Sequence, residues 1–474
     1  MKHTKRILAL ALAALTALAA LTGCGIQPPS GDEPSSSQSG SAAPNVGDTS
    51  GTPVHPAAYT VVQDADAAPL PEFDRTAEYK AVCRALNELS FRFTNELLGS
   101  TDENLICSPL SAGFALASLL NGVGDAAVQR RLLDALGFTG MEMDEVNRGF
   151  AMLLARLTVP SPYLLEENPD YTSPVEIANA AFVSRDYSLR KDYAQAVLDA
   201  YRSETFSVDF TSEDAVRTIN DWCSEKTHGV IPSIVDELAP ETVAAIANAL
   251  YFSDRWDCEF NPDRNETRPF HADSGDRDAT FLCREDDFLN YQETGTYQAV
   301  NLPFKQGGGL AVLLPKAPSC PVGETGTSLA KALLSEMDAD GFAALLDGFR
   351  ERKGVLRLPK FRLDAFLPLN DALEALGLGE LFDSSALPVD ALVEDAPLYV
   401  TEALQKASID VSETGTTAAA VTVIKTEEGA LVVPNEEEPF EMTCDRPFAF
   451  VLYGADGTIL FTGCVFSAPE GESK

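Results

Sequence analysis

Side chains that could carry out catalysis are scarce in this sequence. The chain has four histidines among its 474 residues. Two of them, His228 and His271, lie beyond the first 72 residues. Neither has a nucleophile or a metal-ligating residue at a useful spacing, so a histidine-dependent hydrolase is disfavoured unless partners distant in sequence meet in the fold. The sequence also lacks HExxH, GxSxG and glycine-rich phosphate-binding motifs. We therefore expect neither an enzyme nor a bound cofactor or metal.

Cysteine chemistry is the next candidate. Apart from Cys24, the cysteines show no CxxC pair and no regular spacing. Such scatter favours buried apolar side chains over a zinc site or a disulfide framework, although individual disulfides stay open. The residues concerned are Cys83, Cys107, Cys223, Cys258, Cys283, Cys320, Cys444 and Cys464.

The first residues have the pattern of a secretion signal. Basic side chains precede an apolar run, Ile7–Gly23, which is short for a membrane-spanning helix and ends in small residues. Residues 21–24, Leu-Thr-Gly-Cys, resemble the bacterial lipoprotein box, whose cysteine is acylated and becomes the new N terminus. The resemblance implies a signal peptide at residues 1–23 and a lipid on Cys24. In the alternative, a plain secretory signal, Cys24 is incidental.

Residues 24–72 are predicted to form a disordered tether behind that cysteine. The segment is rich in Pro, Ser, Gly, Ala and Asp and has no Lys or Arg, so it cannot bury enough apolar surface to offset its ordering entropy. It would hold the following domain away from the outer face of a bacterial membrane, at the cell surface. Residues 73–474 contain no second break of this kind and are long enough for one large core or two smaller ones.

The charge balance excludes one class of partner. The chain has 72 acidic and 35 basic residues, a formal charge of −37. Nucleic acid binding needs clustered Lys and Arg, so it is not expected. An acidic surface of this kind more often serves solubility than a specific ligand.

Hydrophobic periodicity predicts an α+β fold. Apolar residues at three- and four-residue steps from Val82 to Leu97 predict a long amphipathic helix, with further helices near residues 111–121, 125–136 and 145–157. Strand-like runs follow later in the chain, and helices before long strands indicate the α+β class. The strand-like runs are Val175–Val183, Thr242–Phe252, Leu310–Leu314, Val355–Leu363, Leu398–Val411, Phe448–Leu452 and Ile459–Val465.

The segment Glu413–Val423 is unusual, because Gly415 and two threonines lead into a run of alanine. It lacks the Pro, Asn and Asp of an exposed turn, yet it is too weakly apolar for a core strand. A segment exposed in one state and paired as a strand in another would have this composition. If Thr416 faces inward, alternation buries only small or apolar residues and no charge before Glu428. The alternative is a small-residue linker that never inserts.

Four sequence blocks resemble those of the serpin family, in the family order, and together they cover almost the whole of residues 73–474. They are NxxxSPxS at Asn104–Ser111, NAxYFxxxWxxxF at Asn248–Phe260, LPKF at Leu358–Phe361 and the C-terminal signature at Arg446–Val465. The alanine-rich segment stands between the third and fourth blocks, where the family has the hinge of its reactive loop. The resemblance implies the serpin fold: helices with three β-sheets and an exposed reactive-centre loop.

The resemblance also implies roles for individual residues. Ser108, Ser111 and Asn248 would form the shutter beneath the parting sheet, and Gln405 stands where the family usually has the shutter histidine. Trp256, Lys360 and Glu413 would form the breach, where loop insertion begins. The implied hinge residues are Glu413, Gly415, Thr416, Thr417, Ala418, Ala419 and Ala420.

Each of these roles has a plainer alternative. Ser108 could simply cap a helix, Asn248 could be a satisfied core amide, and Trp256 could be ordinary packing. Lys360 and Glu413 could form an ordinary ion pair. Gln405 can still donate and accept hydrogen bonds, but its presence puts the usual pH response and opening barrier of the shutter in question.

The function implied by the resemblance is suicide inhibition of serine proteases, with cysteine proteases as a second class. A protease that forms its acyl-enzyme with the loop is carried along the sheet as the loop inserts, before hydrolysis finishes. The alternative is a non-inhibitory serpin that acts as a surface binding module. In either case we expect a monomer.

The expected target follows from the reactive bond. Counting the usual family distance from Glu413 places this bond between Gly429 and Ala430. The small and aliphatic residues there favour an elastase-like or subtilisin-like protease with a shallow apolar pocket, and a glutamate-specific protease is a minor option. The alternative bonds involve Glu428, Leu431, Val432 and Val433.

Overall fold

The computed structural model describes residues 59–61, 67–159, 172–239, 242–316, 325–394, 396–416 and 438–468. Within these ranges no helix is both long enough and apolar enough to cross a membrane. The helices are α1 (Ala77–Gly99), α2 (Pro109–Leu120), α3 (Ala126–Ala135), α4 (Met143–Thr158), α5 (Lys191–Tyr201), α6 (Glu213–Lys226), α7 (Gly326–Ser335), α8 (Ala339–Gly348) and the short α9 (Asn370–Leu373).

The main sheet is divided into two four-stranded parts. The first half-sheet has the order β1-β4-β3-β5 and the second has the order β12-β13-β14-β6. Since β6 continues β5 after a single residue, Ser253, the chain itself connects the two parts at one end. The strands are β1 (Tyr59–Val61), β3 (Val175–Ser184), β4 (Ser203–Val208), β5 (Ala244–Phe252), β6 (Asp254–Arg255), β12 (Phe361–Pro368), β13 (Leu404–Val411) and β14 (Gly415–Thr416).

A nine-stranded sheet lies behind the main sheet. Its order is β15-β11-β8-β9-β10-β16-β17-β2, with β7 paired to β8. The central strands β10, β16 and β17 are buried along their whole length and read as near-continuous apolar runs. The strands are β2 (Leu105–Cys107), β7 (Glu266–Ala272), β8 (Gly275–Glu293), β9 (Tyr297–Pro303), β10 (Gly309–Pro315), β11 (Arg350–Pro359), β15 (Phe440–Thr443), β16 (Phe448–Tyr453) and β17 (Ile459–Val465).

Two apolar cores lie on opposite faces of the main sheet. The larger one fills the space between the sheets and the helices α1, α2 and α4, where Phe114 and Phe150 meet edge to face with ring centroids 4.9 Å apart. The smaller one joins α6 to the first half-sheet, and there Phe182 stacks on Phe206 and meets Trp222 edge to face. Helix α6 is thus seated on one face of the first half-sheet by a core of its own.

The predicted class, helices with three β-sheets, is confirmed. Most of the predicted strands agree with the structure to within two residues, and two of them differ by more. The run Val355–Leu363 is two strands in two sheets, because the chain ends β11 at Pro359, bonds the Lys360 N–H to the Thr280 carbonyl and enters β12. The run predicted to start at Leu398 becomes β13 only at Leu404; Leu398 forms an isolated bridge with Val389.

The predicted tether differs from the structure near its end. Tyr59–Val61 pairs antiparallel with β4 and covers the free edge of the first half-sheet. Further along, the Ala68 N–H donates to Asp199 Oδ1 at 2.8 Å and its carbonyl accepts from Arg202. An open sheet edge can pair with any extended backbone whatever its side chains, so composition does not reveal such an attachment.

Candidate functional site

A slot separates the two half-sheets. Among the described residues, β5 and β13 make no ladder with each other, and β14 is the strand that bridges them, by pairing with β13 and with β6. Below β14 the slot holds an upper and a lower cavity. Both cavities are lined by β5 on one side and β13 on the other. The geometry is that of a sheet that lacks its central strand.

The walls of the slot are mostly apolar. Leu452 and Phe461, from the sheet behind, form the floor of the upper cavity, and Leu116 and Leu119 of α2 form that of the lower one. A segment with small side chains facing inward could lie there without displacing the core, whereas a charged side chain would be buried without a partner. The apolar floor therefore favours a strand whose inward side chains are small or apolar over one with inward charges.

The hinge residues occupy the top of the slot. Gly415 and Thr416 form β14, and Thr416, which lines the upper cavity, is 2% exposed. Thr416 therefore faces inward, the orientation assumed for the sequence register. The main chain of β6 passes so close to Gly415 that an added Cβ would collide with the carbonyl of Asp254. Glycine is the residue that this approach allows.

Trp256 fastens the chain just before the hinge. Its indole Nε1 donates to the Ser412 carbonyl at 2.9 Å, and its main-chain N–H donates to the Thr414 carbonyl at 3.0 Å. The ring is 1% exposed and stacks on Phe304, with centroids 4.8 Å apart. A buried Trp needs a partner for its N–H, and here that partner is the backbone of the hinge.

Lys360 and Glu413 meet at the same end of the slot. Lys360 Nζ lies 3.4 Å from Glu413 Oε2, and Asn265 Nδ2 donates to Glu413 Oε1 at 2.7 Å. Burial alone would raise the pKa of Glu413, but its main-chain N–H, Asn265 and the charge of Lys360 outweigh it and lower this pKa. The structure thus brings Trp256, Lys360 and Glu413 into one cluster around the hinge, as the sequence blocks predict. Asn265, which belongs to none of those blocks, is a member that sequence reasoning missed.

Gln405 joins β13 to the start of α2 beneath the slot. Its Oε1 accepts the Ser108 N–H at 2.8 Å and its Nε2 donates to the Ser108 carbonyl at 2.7 Å. The Ser108 hydroxyl donates to the Leu460 carbonyl at 2.8 Å and also caps α2 by accepting the Ser111 N–H. The capping alternative for Ser108 is therefore real, and it coexists with the contact to Gln405.

A second polar chain leaves the slot on the β5 side. The Ser111 hydroxyl donates to Asn248 Oδ1, whose amide donates to Asn179 Oδ1 on β3 at 2.7 Å. Asn179 in turn donates to the Tyr201 carbonyl at the end of α5, also at 2.7 Å. Ser108, Ser111, Asn248 and Gln405 thus converge as predicted. Asn179 was missed; its signal was a polar residue within the apolar run from Ile177 to Val183.

The segment after α6 roofs the slot. Thr227, Val230 and Ile231 line the upper cavity. One end of this roof contacts the first half-sheet, where His228 Nε2 lies 2.9 Å from Glu176 Oε1 and the ring lies against Tyr251. The other end reaches the second half-sheet, where Lys406 Nζ donates to Ser233 Oγ at 3.1 Å. A strand entering the slot would pass beneath this roof.

Several predicted site residues lie outside the described part of the chain. They are Cys24, Thr417, Ala418, Ala419, Ala420, Glu428, Gly429, Ala430, Leu431, Val432 and Val433. Their assignments stay predictions.

The cysteines in the described ranges are free thiols, and no group of His, Cys, Asp or Glu there could hold a metal ion. Five of them, Cys107, Cys223, Cys283, Cys444 and Cys464, are buried, and Cys83 is partly so. The prediction of buried apolar cysteines is wrong for Cys258, which is exposed. This residue follows Trp256 and Asp257 where the chain leaves the sheet, and no strand pattern orients it inward.

The comparisons with known proteins agree on one family. A family model described as Serpin (serine protease inhibitor) matches residues 84–468. An uncharacterised serpin-like protein of Thermococcus kodakarensis is 31% identical over 406 residues, which is 84% of this chain and 88% of that protein. Plasminogen activator inhibitor 1 of Sus scrofa is 29% identical over 385 residues, 79% of this chain and 89% of its own.

Solved structures give the same fold. The thermophilic serpin tengpin in its native state has a TM-score of 0.70 at 24% identity, covering 86% of this chain and 100% of that one. Serpin48 of the insect Tenebrio molitor has a TM-score of 0.68 at 25% identity, covering 83% and 99%.

Removing the Gln405 amide should destabilise the protein. Gln405→Ala leaves the buried N–H of Ser108 without its partner, which costs about 1–3 kcal/mol. The Ser108 carbonyl loses one of its two hydrogen bonds and keeps the one from the Ala112 N–H. The midpoint of urea unfolding, followed by circular dichroism, should fall. Gln195→Ala is the matched control, because Gln195 makes one partly exposed bond to Asp199, and it should change stability by less than about 0.5 kcal/mol. Equal midpoints for the two variants would contradict the role given to Gln405.

Glu413 should make the hinge contacts sensitive to acid. The pKa of Glu413 is lowered in the folded state, so the ionised side chain stabilises the fold fully at pH values above its ordinary pKa of 4.5. This stabilisation is lost as the pH falls through the lowered pKa of the folded state. Trp256 fluorescence, read in a Trp222→Phe background, should therefore change in strong acid. Glu413→Gln should remove this change, and Asp340→Asn, in the exposed pair with Arg84, should leave it. An unchanged acid transition in Glu413→Gln would refute the assignment.

Proposed function

The chain belongs to the serpin family, and we propose that it is a suicide inhibitor of serine proteases that traps the acyl-enzyme by inserting its cleaved reactive loop into the main sheet. The observation that carries the proposal is the slot between β5 and β13, with the hinge residues Gly415 and Thr416 already paired at its top. Protease inhibition in general is supported by the family and by the inhibitors among its relatives.

The slot and the hinge sequence match each other physically. Thr416 lies at the top of the slot, and a strand that continues from it places Ala418, Ala420, Thr422, Ile424 and Thr426 toward the apolar floor. These side chains are small or apolar, so they add burial without an unpaired charge. The backbone of such a strand would pair with the facing edges of β5 and β13, which satisfies polar groups on both strands at once.

The proposed reaction draws its chemistry from the protease. The protease nucleophile attacks the carbonyl of the reactive bond and forms an acyl-enzyme, and the nitrogen of the broken bond leaves as the new amino terminus of the C-terminal segment. That segment contains β15, β16 and β17, which hold it in the nine-stranded sheet. The freed loop then inserts from Thr416 downward and carries the attached protease along the slot. Inhibition results when insertion finishes before a water molecule hydrolyses the acyl-enzyme ester. In this mechanism the chain supplies the bond that is cleaved and the more stable sheet that insertion forms.

The proposed targets are elastase-like or subtilisin-like serine proteases, with cysteine proteases as a second class. The proposed bond is Gly429–Ala430, with Glu428 and Leu431–Val433 as alternatives. Small and aliphatic residues there suit a shallow apolar pocket, whereas a trypsin-like enzyme would need Arg or Lys at the cleaved position. The partner is thus a protease with a small primary pocket, acting on a monomer.

We also propose that the chain is lipid-anchored through Cys24 at a bacterial cell surface. The support is the charged start, the apolar run and the Leu-Thr-Gly-Cys box, followed by a low-complexity segment. A lipid on Cys24 would place the inhibitor where secreted proteases reach the cell.

Mixing the purified domain with a protease panel tests the inhibitory proposal. A denaturing gel should show a band at the summed mass of inhibitor and protease, and mass spectrometry of the released peptide should give cleavage near Gly429–Val433. Thr416→Arg should be cleaved without forming that band. A buried unpaired guanidinium costs several kcal/mol, which would slow insertion by more than about tenfold.

Thr416→Ser is the matched control for this experiment. It keeps a small polar side chain at the buried position, so the complex should persist. Clean cleavage of the wild type by elastase-like, subtilisin-like and glutamate-specific enzymes, without any complex, would refute inhibition and leave the surface binding module. A complex that survives Thr416→Arg would refute the insertion route.

Cys24→Ala tests the anchor. The variant should leave the membrane fraction of a bacterial expression host, because the acylated side chain is lost. The wild type should partition into detergent and carry an acyl mass on its N-terminal peptide. Cys258→Ala, which removes an exposed thiol of the folded domain, should stay with the membrane. Cys24→Ala protein that still pellets with membranes would refute the lipid.

A further inference from the structure

A buried carboxyl group stands beside the hinge. Asp254, on β6, pairs across the sheet with Thr416 on β14. Both residues are almost fully buried, at 5% and 2% exposure. Since β14 lies directly beside β6 at this residue, we infer that β14 shields Asp254 from water, and that this shielding ends if β14 leaves the slot.

The carboxylate is held by the main chain. Its Oδ1 accepts the Arg255 N–H at 2.7 Å and its Oδ2 accepts the Gln306 N–H at 3.1 Å. Two amide hydrogen bonds compensate only part of the cost of burying a negative charge. The charge of Asp254 thus opposes the seating of the strand that covers it.

The charged groups around Asp254 offset this cost only partly. Lys305, next to Gln306, attracts the carboxylate, but its Nζ lies 3.7 Å from Glu259 Oε1. Arg255 extends to the same Glu259 oxygen at 2.5 Å. The other charged groups on neighbouring elements are Asp410 on β13, which lines the upper cavity, and the Lys360–Glu413 pair above the hinge.

We propose that Asp254 makes the seating of the hinge strand β14 depend on pH, so that β14 is held more firmly at the top of the slot when Asp254 carries a proton. The hinge would be looser at neutral pH and closer to insertion in a mildly acidic medium. This device would set how readily the loop enters the sheet, whatever protease cleaves it.

The direction follows from proton linkage. Burial raises the pKa of Asp254 from 3.8 to about 6, and the hydrogen bonds from Arg255 and Gln306 and the charge of Lys305 act against this rise. A group whose pKa is raised by seating stabilises the seated form at low pH, and that stabilisation is lost as the pH rises through the raised value. Between about pH 7.5 and about pH 5, seating should become about tenfold more favourable.

Trp256 provides a reporter that does not require any protease. The chain has two tryptophans, so Trp222→Phe leaves Trp256, which is bonded to Ser412 and Thr414 just before the hinge. The fluorescence of this variant should show a transition near pH 6. Asp254→Asn, which keeps the shape of the side chain and removes the charge, should abolish the transition. His228→Gln and His271→Gln, which replace the histidines of the described ranges, serve as controls and should retain it.

A second variant separates seating from a direct effect of Asp254 on the fluorescence. Gly415→Ala keeps Asp254 but blocks the close approach of β14 to β6, so the transition near pH 6 should disappear. A transition that persists in Gly415→Ala, or that survives in Asp254→Asn, would overturn the proposal. Failure of this test would leave the inhibition experiment untouched, since the reporter needs no protease.

Discussion

The whole structure depends on two facing strand edges that do not pair with each other. Along the slot, β5 and β13 each turn one edge of backbone N–H and carbonyl groups toward a gap. Backbone polar groups are strong and nearly obligatory hydrogen-bonding groups, so an unfilled gap inside a sheet is a state of higher free energy than a filled one. The strand that would fill it belongs to the same chain and is already paired at its first two residues. Under the proposed mechanism, this pairing would be the first step of loop insertion.

The contacts around the slot explain how such an arrangement can persist. Polar bonds lie around it at three levels: Trp256 and Glu413 at the hinge, the Lys406–Ser233 bond in the roof, and Gln405 with Ser108 beneath. Hydrogen bonds of this kind can break singly and re-form in a new arrangement, whereas an interdigitated apolar core must be disrupted as a unit. The sheet can thus part along the slot while α6 stays seated on its own core on the first half-sheet.

The sequence alone predicts a large part of this arrangement. Helical periodicity located α1 and α4. The inward orientation of Thr416, which the sequence register had to assume, is the one that the structure shows. The site residues came from motifs, because nothing in local composition brings Ser108 next to Gln405, which lies 297 residues away. What local patterns could not supply were the pairings made through the backbone. The pairing of Tyr59–Val61 with β4 and the break between β11 and β12 both depend on which sheet edge is free. Likewise, the burial of Asp254 depends on a strand that reaches it from another part of the chain.

The way the chain enters the domain gives the molecule a direction. Tyr59 pairs with Val208, at the end of β4. The strand registers place this end of the first half-sheet level with Ala244, where β5 starts. The hinge lies beyond the other end of β5, which is Phe252. The N-terminal segment therefore joins the domain at the pole opposite the hinge, about 30 Å away along β5. With Cys24 anchored as proposed, a loop that inserts from Thr416 would carry a captured protease toward the end of the domain to which the anchored segment is attached.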